Sequence, residues 1–131
     1  MAKIIIASGP VIVEEGKVLL DQHGDTPFWK FPGGRVDNYE ETLIETAQQR
    51  VKEEMGIEIE ILDPVPFLMY TPKETSEGNI DVLLVHYLAK RIGEIVPGDD
   101  IRRWEWIDVQ NLPNNLGLNI TPTLRHFGFL K

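Results

Sequence analysis

The chain contains no cysteine, which removes disulfide frameworks, thiolate zinc sites and cysteine nucleophiles together. That composition fits a reducing compartment, and a cytoplasmic location is the expectation. Long apolar runs are also missing. The longest, such as residues 82–85, fall far below the roughly 18 residues a membrane-spanning helix requires, so no membrane partner is expected. Lys3, three isoleucines and Ala7 imitate the start of a secretion signal, but Gly9 and Pro10 interrupt the run and Glu14 and Glu15 close it without a small-residue cleavage site. It therefore reads as a strand. Positive charge is scarce: 13 Lys and Arg face 21 Asp and Glu, for a net charge of -8. Nonspecific binding to nucleic acid needs the opposite balance. An acidic chain that binds phosphates needs a metal to bridge them to its carboxylates. Repeats, low-complexity tracts and long Pro/Gly-rich linkers are absent as well.

What remains is a chain of 131 residues, 42% of them hydrophobic, which is the size of one domain over residues 1–131. Such a domain buries about two-thirds of the surface its unfolded chain exposes. Residues 4–13 are rich in β-branched side chains, and Glu15-Gly16 separates them from residues 17–21 as a turn separates two strands of an opening hairpin. Residues 24–34 mix Pro and Gly with Phe28, Trp29 and Phe31, the pattern of a loop and a short buried strand leading to a tight turn. Thr42 and Glu45 form a capping box, and Gly56 stands where a helix ending near Met55 needs a left-handed residue. Strands are expected at residues 57–62, 67–70, 80–89 and 101–107. Thr121 followed by Pro122 reads as the cap and first turn of a terminal helix reaching about Phe127. The expected fold is α/β or α+β, a mixed sheet with one central and one terminal helix.

On the central helix Leu43, Ala47, Val51 and Met55 recur every four residues beside Ile44, giving one core-facing stripe. At roughly 100° per residue, positions 50, 53 and 54 share an arc about 100° wide outside that stripe. Glu53 and Glu54 can share one cation there. Adjacent acids near a helix C-terminus oppose the macrodipole and call for a compensating positive charge, which Lys52 and Arg50 could also supply as surface ion pairs. Mg²⁺ is commonly held by one or two carboxylates together with substrate phosphates. The preceding Gly33-Gly34 turn brings bare backbone close to the helix, where a carbonyl can complete a metal shell or an amide can meet a phosphate oxygen.

The segment GGRVDNYEETLIETAQQRVKEEMGI resembles the box of the Nudix hydrolase family, usually G-x5-E-x7-R-E-U-x-E-E-x-G-U with U aliphatic. Glu53, Glu54, Gly56 and Ile57 align with E-E-x-G-U, Val51 with the preceding U, and Glu41 with the first glutamate, so that the box covers about residues 34–57. Two departures stand out. Gly34 precedes Glu41 by one residue more than usual, which places the extra residue in the loop near residues 37–40, and Gln49-Arg50 replaces the family's Arg-Glu. Outside the box, Trp29-Lys30-Phe31-Pro32-Gly33-Gly34 is similar to the W-x-F-P-G-G segment of many Nudix domains, and Trp106 with Leu112-Pro113 to their late strand and following turn.

The resemblance implies a Nudix fold, with the mixed sheet sandwiched between a catalytic central helix and a C-terminal helix. It implies a hydrolase of nucleoside diphosphates linked to another moiety, dependent on Mg²⁺ or Mn²⁺ and acting on a nucleotide or nucleotide-sugar substrate; a homodimer is compatible with it. The implied metal residues are Glu53, Glu54, the Gly34 backbone and Glu41, with Glu53 and Glu54 also catalytic. Gly33, Gly34, Arg35 and Arg50 would meet substrate phosphates. Because the glutamate normally at position 50 is missing, a base must come from elsewhere: Glu105 is the choice, with Asp81, Glu77, Asp99 and Asp100 as further candidates. Arg50 has three readings, as a surface ion-pair partner, an internal cation replacing one metal, or a fork on phosphate. Two rivals remain, a GDP-mannose-hydrolase-like enzyme in which water attacks sugar carbon, and a noncatalytic nucleotide-binding domain. His23, His86 and His126 show no paired metal-ligand spacing and are expected as surface or core residues. Tyr70, Phe67 and Trp104 could stack on a base, though strand aromatics more often face a core.

Overall fold

Turn chemistry and alternation decide where the strands fall in the computed structural model, which describes residues 3–131. The expected single strand over residues 4–13 is two strands, β1 (Lys3–Val11) and β2 (Val13–Glu14), broken at Ile12. Ile12 is fully buried, and the break carries the chain from one sheet to another. β1 runs parallel to β7 (Gly78–Ile92), whereas β2 makes the opening hairpin with β3 (Lys17–His23). Glu15 and Gly16 in that hairpin have φ of 52° and 79°, the left-handed pair that matches the twist of two-residue hairpins.

The larger, five-stranded sheet runs β4 (Gly34–Arg35), β1, β7, β5 (Glu58–Ile61), with β6 (Phe67–Thr75) also on β7. One edge of β7 is divided between β6, opposite residues 78–86, and β5, opposite residues 89–92. β6 outruns its expected length because its polar second half, including Pro72, follows β7 to the turn, and an edge strand tolerates both proline and weak hydrophobic alternation. The smaller sheet runs β2, β3, β8 (Ile101–Asp108).

α1 (Leu43–Met55) has the expected capping box at Thr42 and Glu45 and a left-handed Gly56 at its end. α2 (Ile120–His126) differs from expectation at its start: Asn119 is the cap residue, not Thr121. Pro122 then sits third in the helix, where its missing N–H still belongs to the unpaired first turn, so the proline signal is satisfied in a different register. β3 is buried on both faces. Val18 and Leu20 join Val11, Trp29, Phe31, Ile107, Ile120 and Leu124 in the core that includes α2. Leu19 instead joins Ile12, Ala47, Val51, Met55, Ile57 and Ile59 in the core under α1. Full burial of side chains such as Val51 and Met55 contributes roughly 1.5–3 kcal/mol each. The class is α+β, with the strands layered between the two helices.

Candidate functional site

Asp21 follows Leu19 on the α1-facing side of β3, so a carboxylate occupies a position where the strand's alternation calls for an apolar residue. It is completely buried. His23, beyond a register shift at Gln22/His23, brings its Nε2 to 3.0 Å from Asp21 Oδ1 and 2.6 Å from Glu54 Oε2. The directions are not those of hydrogen bonds: Asp21 Oδ1 and Oδ2, His23 Nε2 and Glu54 Oε2 are all buried without a hydrogen-bond partner. Asp21's carboxylate and then Glu54's raise the His23 imidazole to about 9, against the opposing effect of burial. Burial pushes the Glu54 carboxyl up, and the neighbouring His23 offsets part of that.

Glu54 is therefore not the exposed acid its helical arc implied; its side chain is 12% exposed. Its other oxygen, Oε1, accepts the Gly33 backbone N–H at 2.8 Å. That bond depends on a close approach of two backbones. Gly33 has φ of 140°, and a Cβ on it would lie 2.6 Å from the Ser8 carbonyl oxygen. The C-terminal carbonyls of α1, which need outside partners, receive N–H groups from the following loop: Val96 N–H on Met55 O at 2.7 Å and Gly98 N–H on Glu54 O at 2.8 Å. These bonds draw Asp99 and Asp100 to the same place.

The result is a polar cavity of about 300 Å³ lined by His23, Gly33, Gly34, Arg35, Asp37, Arg50, Glu53, Glu54, Gly98, Asp99, Asp100 and Ile101. Glu53 stands at its rim, half-exposed, accepting from Gln49 Nε2 at 3.1 Å and from Arg50 Nη1 at 3.3 Å. Arg50 spans from the helix to the loop beyond the glycine turn. It donates through Nε and Nη2 to Arg35 O at 3.1 and 2.9 Å and also to the Asp37 carboxylate. Its guanidinium is occupied as a brace. The extra loop residue expected near residues 37–40 lies in a turn in which Asn38 Oδ1 accepts the Glu40 N–H and Asn38 O the Glu41 N–H.

Glu41 itself lies outside this cavity and lines a neighbouring one with Arg35, Asp37 and Thr46. Glu105 is also elsewhere. It pairs opposite Leu20, whereas Asp21 pairs opposite Trp104, so its side chain stands on the other face of β8, bonded to Arg103 at 3.0 Å. Asp81 accepts the Tyr70 hydroxyl at 2.6 Å, Glu77 sits in the exposed β6–β7 turn, and Trp104 packs against the α1 core. Phe67 stacks on His126, with ring centroids 4.8 Å apart.

A second, mostly apolar cavity of about 600 Å³ adjoins the first. Phe28, Phe31, Leu84, Leu116 and Leu118 line it, together with Lys30, His86 and Asn119. Burial, and to a lesser degree Lys30, pushes the His86 imidazole down to about 3, so it is neutral. Gly33, Gly34 and Arg35 line both cavities. His23, Asp21 and this apolar cavity were not anticipated from the sequence. An acid at the core-facing phase of an otherwise apolar strand is the one signal that pointed to Asp21.

Residues 4–127 match a family model described as NUDIX domain. An ADP-ribose pyrophosphatase of Methanocaldococcus jannaschii is 30% identical over 111 residues, which cover 82% of this chain and 64% of that protein. The chain thus spans less than two-thirds of that relative's length. Among solved structures, a MutT NUDIX hydrolase from Burkholderia pseudomallei superposes with a TM-score of 0.76 at 24% identity, over 94% of this chain and 97% of that one. A Caenorhabditis elegans Ap4A hydrolase gives 0.72 at 21% identity, over 94% of each chain. An ADP-ribose pyrophosphatase from Streptococcus suis gives 0.69 at 24% identity, over 92% of this chain and 87% of that one.

Proposed function

Because this chain belongs to the Nudix family, we propose that it hydrolyses nucleoside diphosphates linked to a second moiety, with residues 1–131 acting as one hydrolase domain. The observation that carries this reading is the shared wall: Gly33, Gly34 and Arg35 border a polar cavity on one side and an apolar cavity on the other. A ligand with a charged diphosphate and a flat, largely apolar base has both ends accommodated across that wall, and the volumes fall in the usual range for small-molecule sites of about 300–1,000 Å³.

The residues fit a divalent cation, because Glu54 Oε2 is buried without a hydrogen-bond partner while Glu53 and the Gly34 backbone border the same cavity. Mg²⁺ or Mn²⁺ held there would supply charge stabilisation at the diphosphate and would make water at the site more acidic. Arg35 offers a guanidinium beside the glycine turn for phosphate oxygens. Arg50 holds the turn's continuation in place and keeps Glu53 oriented. Asp99 and Asp100, which line the cavity in the loop after α1, would accept the proton of the attacking water, whereas Glu105 stands on the other face of β8. In the apolar cavity neutral His86 and Asn119, 3.5 Å apart through Nδ1 and Nδ2, present polar groups to the edge of a base.

Arg50 in place of the box glutamate favours a second reading, in which water attacks sugar carbon as in GDP-mannose hydrolases. Turnover of a panel of ADP-ribose, other nucleoside diphosphate sugars and dinucleoside polyphosphates in ¹⁸O-water separates the two. Label on phosphate is expected; label on the sugar establishes the second reading, and tight binding without turnover overturns both in favour of a noncatalytic domain.

A further inference from the structure

Around the inner carboxylate of the helix, the molecule carries a group of which the box supplies only one member, Glu54. Asp21, His23 and Glu54 come from two elements and place one ligand-type atom each within 4.8 Å of one another. Adjacent ligands on a cation at about 2.0–2.2 Å in octahedral geometry stand about 3 Å apart. The His23–Asp21 separation is 3.0 Å, and the His23–Glu54 separation is 2.6 Å, which needs only a few tenths of an ångström of relaxation. Asp21 supplies an independent sign. A fully buried carboxylate with neither oxygen hydrogen-bonded is costly to keep unless it faces a positive charge, which His23 at 3.0 Å supplies when protonated and a divalent cation would supply when bound.

We propose that Asp21, His23 and Glu54 form a mixed nitrogen–oxygen site for a divalent cation, and that the imidazole makes the site prefer Co²⁺, Zn²⁺ and Mn²⁺ over Mg²⁺. The chemistry follows from the donor set. Mg²⁺ takes hard oxygen ligands and gives up its waters reluctantly. Imidazole suits later first-row ions, and affinity at a nitrogen-containing site rises from Mn²⁺ to Co²⁺. The Gly33 N–H on Glu54 Oε1 fixes the carboxylate so that Oε2 faces His23, the kind of supporting bond that orients metal ligands. Arg50 holds the outer carboxylate, Glu53, at the rim, and Glu54 is common to the helix pair and to the inner three. The inference deepens the hydrolase reading by naming its cation, but neither the site nor its test requires turnover.

The test uses the full chain without substrate. Mn²⁺ affinity is measured by electron paramagnetic resonance, and Mg²⁺, Co²⁺ and Zn²⁺ by competition. Wild type is expected to bind Co²⁺ and Zn²⁺ at least tenfold more tightly than Mn²⁺, and Mn²⁺ at least tenfold more tightly than Mg²⁺. His23→Gln should weaken Co²⁺ and Zn²⁺ at least tenfold and change Mg²⁺ less than threefold. Asp21→Asn, checked by circular dichroism, should weaken all four. A readout that needs no variant to fold is the His23 ring ¹⁵N resonance of wild type, which should shift at Nε2 on adding Zn²⁺. An imidazole that keeps its proton and its resonance in saturating Zn²⁺, or affinities indifferent to His23→Gln, overturns the proposal. Turnover with Mg²⁺ in a protein whose His23 resonance never responds to metal would overturn this site and leave the hydrolase reading standing. His23-dependent binding in a protein that cleaves no diphosphate would support the site and sink that reading.

Discussion

Glu54 and Gly33 are joined by one hydrogen bond, from the glycine N–H to Oε1 at 2.8 Å, and that bond ties the end of α1 to the turn that walls both cavities. A residue late in the helix thereby sets the position of the backbone that faces substrate.

Glu54→Gln keeps an oxygen for the Gly33 N–H and removes the charge. Turnover on the best diphosphate substrate is expected to fall more than tenfold, a barrier increase of at least about 1.4 kcal/mol, while circular dichroism stays that of wild type. Retention of more than a tenth of kcat would remove Glu54 from the metal assignment.

Arg50→Glu tests the brace. The substitution takes the donors away from Arg35 O and sets a third negative charge beside Asp37 and Glu53. These pairs are partly exposed, so the stability cost is expected to be modest, about 1 kcal/mol. The larger effect should fall on the loop. Hydrogen exchange at residues 35–38 should accelerate and KM should rise, because Arg35 is no longer held at the glycine turn. A variant with slower exchange, lower KM and higher kcat would show instead that Arg50 merely fills the place of a glutamate.

His86 makes stability depend on acid. Its folded-state pKa of about 3 lies below the ordinary value of 6.5, so the unfolded chain binds the extra proton first. Stability is complete above about pH 6.5 and declines as pH falls toward 3, by at most about 1.4 kcal/mol per pH unit from this one group. Urea midpoints from pH 7 to pH 4 should show this decline, and His86→Phe should flatten it. An unchanged slope in the variant would assign the acid sensitivity to other groups.

Local signals made the central helix legible. Thr42, Glu45 and Gly56 act within one or two turns of their own backbone, and the apolar period of Ala47, Val51 and Met55 needs no distant information. The terminal helix was read in the wrong register because Thr121-Pro122 is compatible with two positions in a first turn, and Gly117 O, which accepts the Ile120 N–H at 3.2 Å, decides between them through a loop. The inner part of the site was hidden for another reason. His23 and Glu54 touch only because β3 is covered by α1, and a two-residue separation from Asp21 on a strand carries no ligand signature by itself. Glu105 looked useful in sequence, yet the side of the sheet it faces follows from its pairing with Leu20, which alternation alone does not reveal.

The parallel pairing of Lys3–Val11 with residues 80–88 also sets an order of events during synthesis. At roughly 5–20 residues per second, the ribosome delivers the partner of the first strand several seconds after the strand itself. Throughout that interval the isoleucines of the first strand lack their long partner, and only the short β4, which pairs at Ala7 and Ser8, is made to join them. α1 is made in between, and in the finished molecule its Leu43 carbonyl accepts the Ser8 hydroxyl at 2.7 Å. The helix that carries the carboxylates is thus also made in time to cover the first strand before β7 arrives.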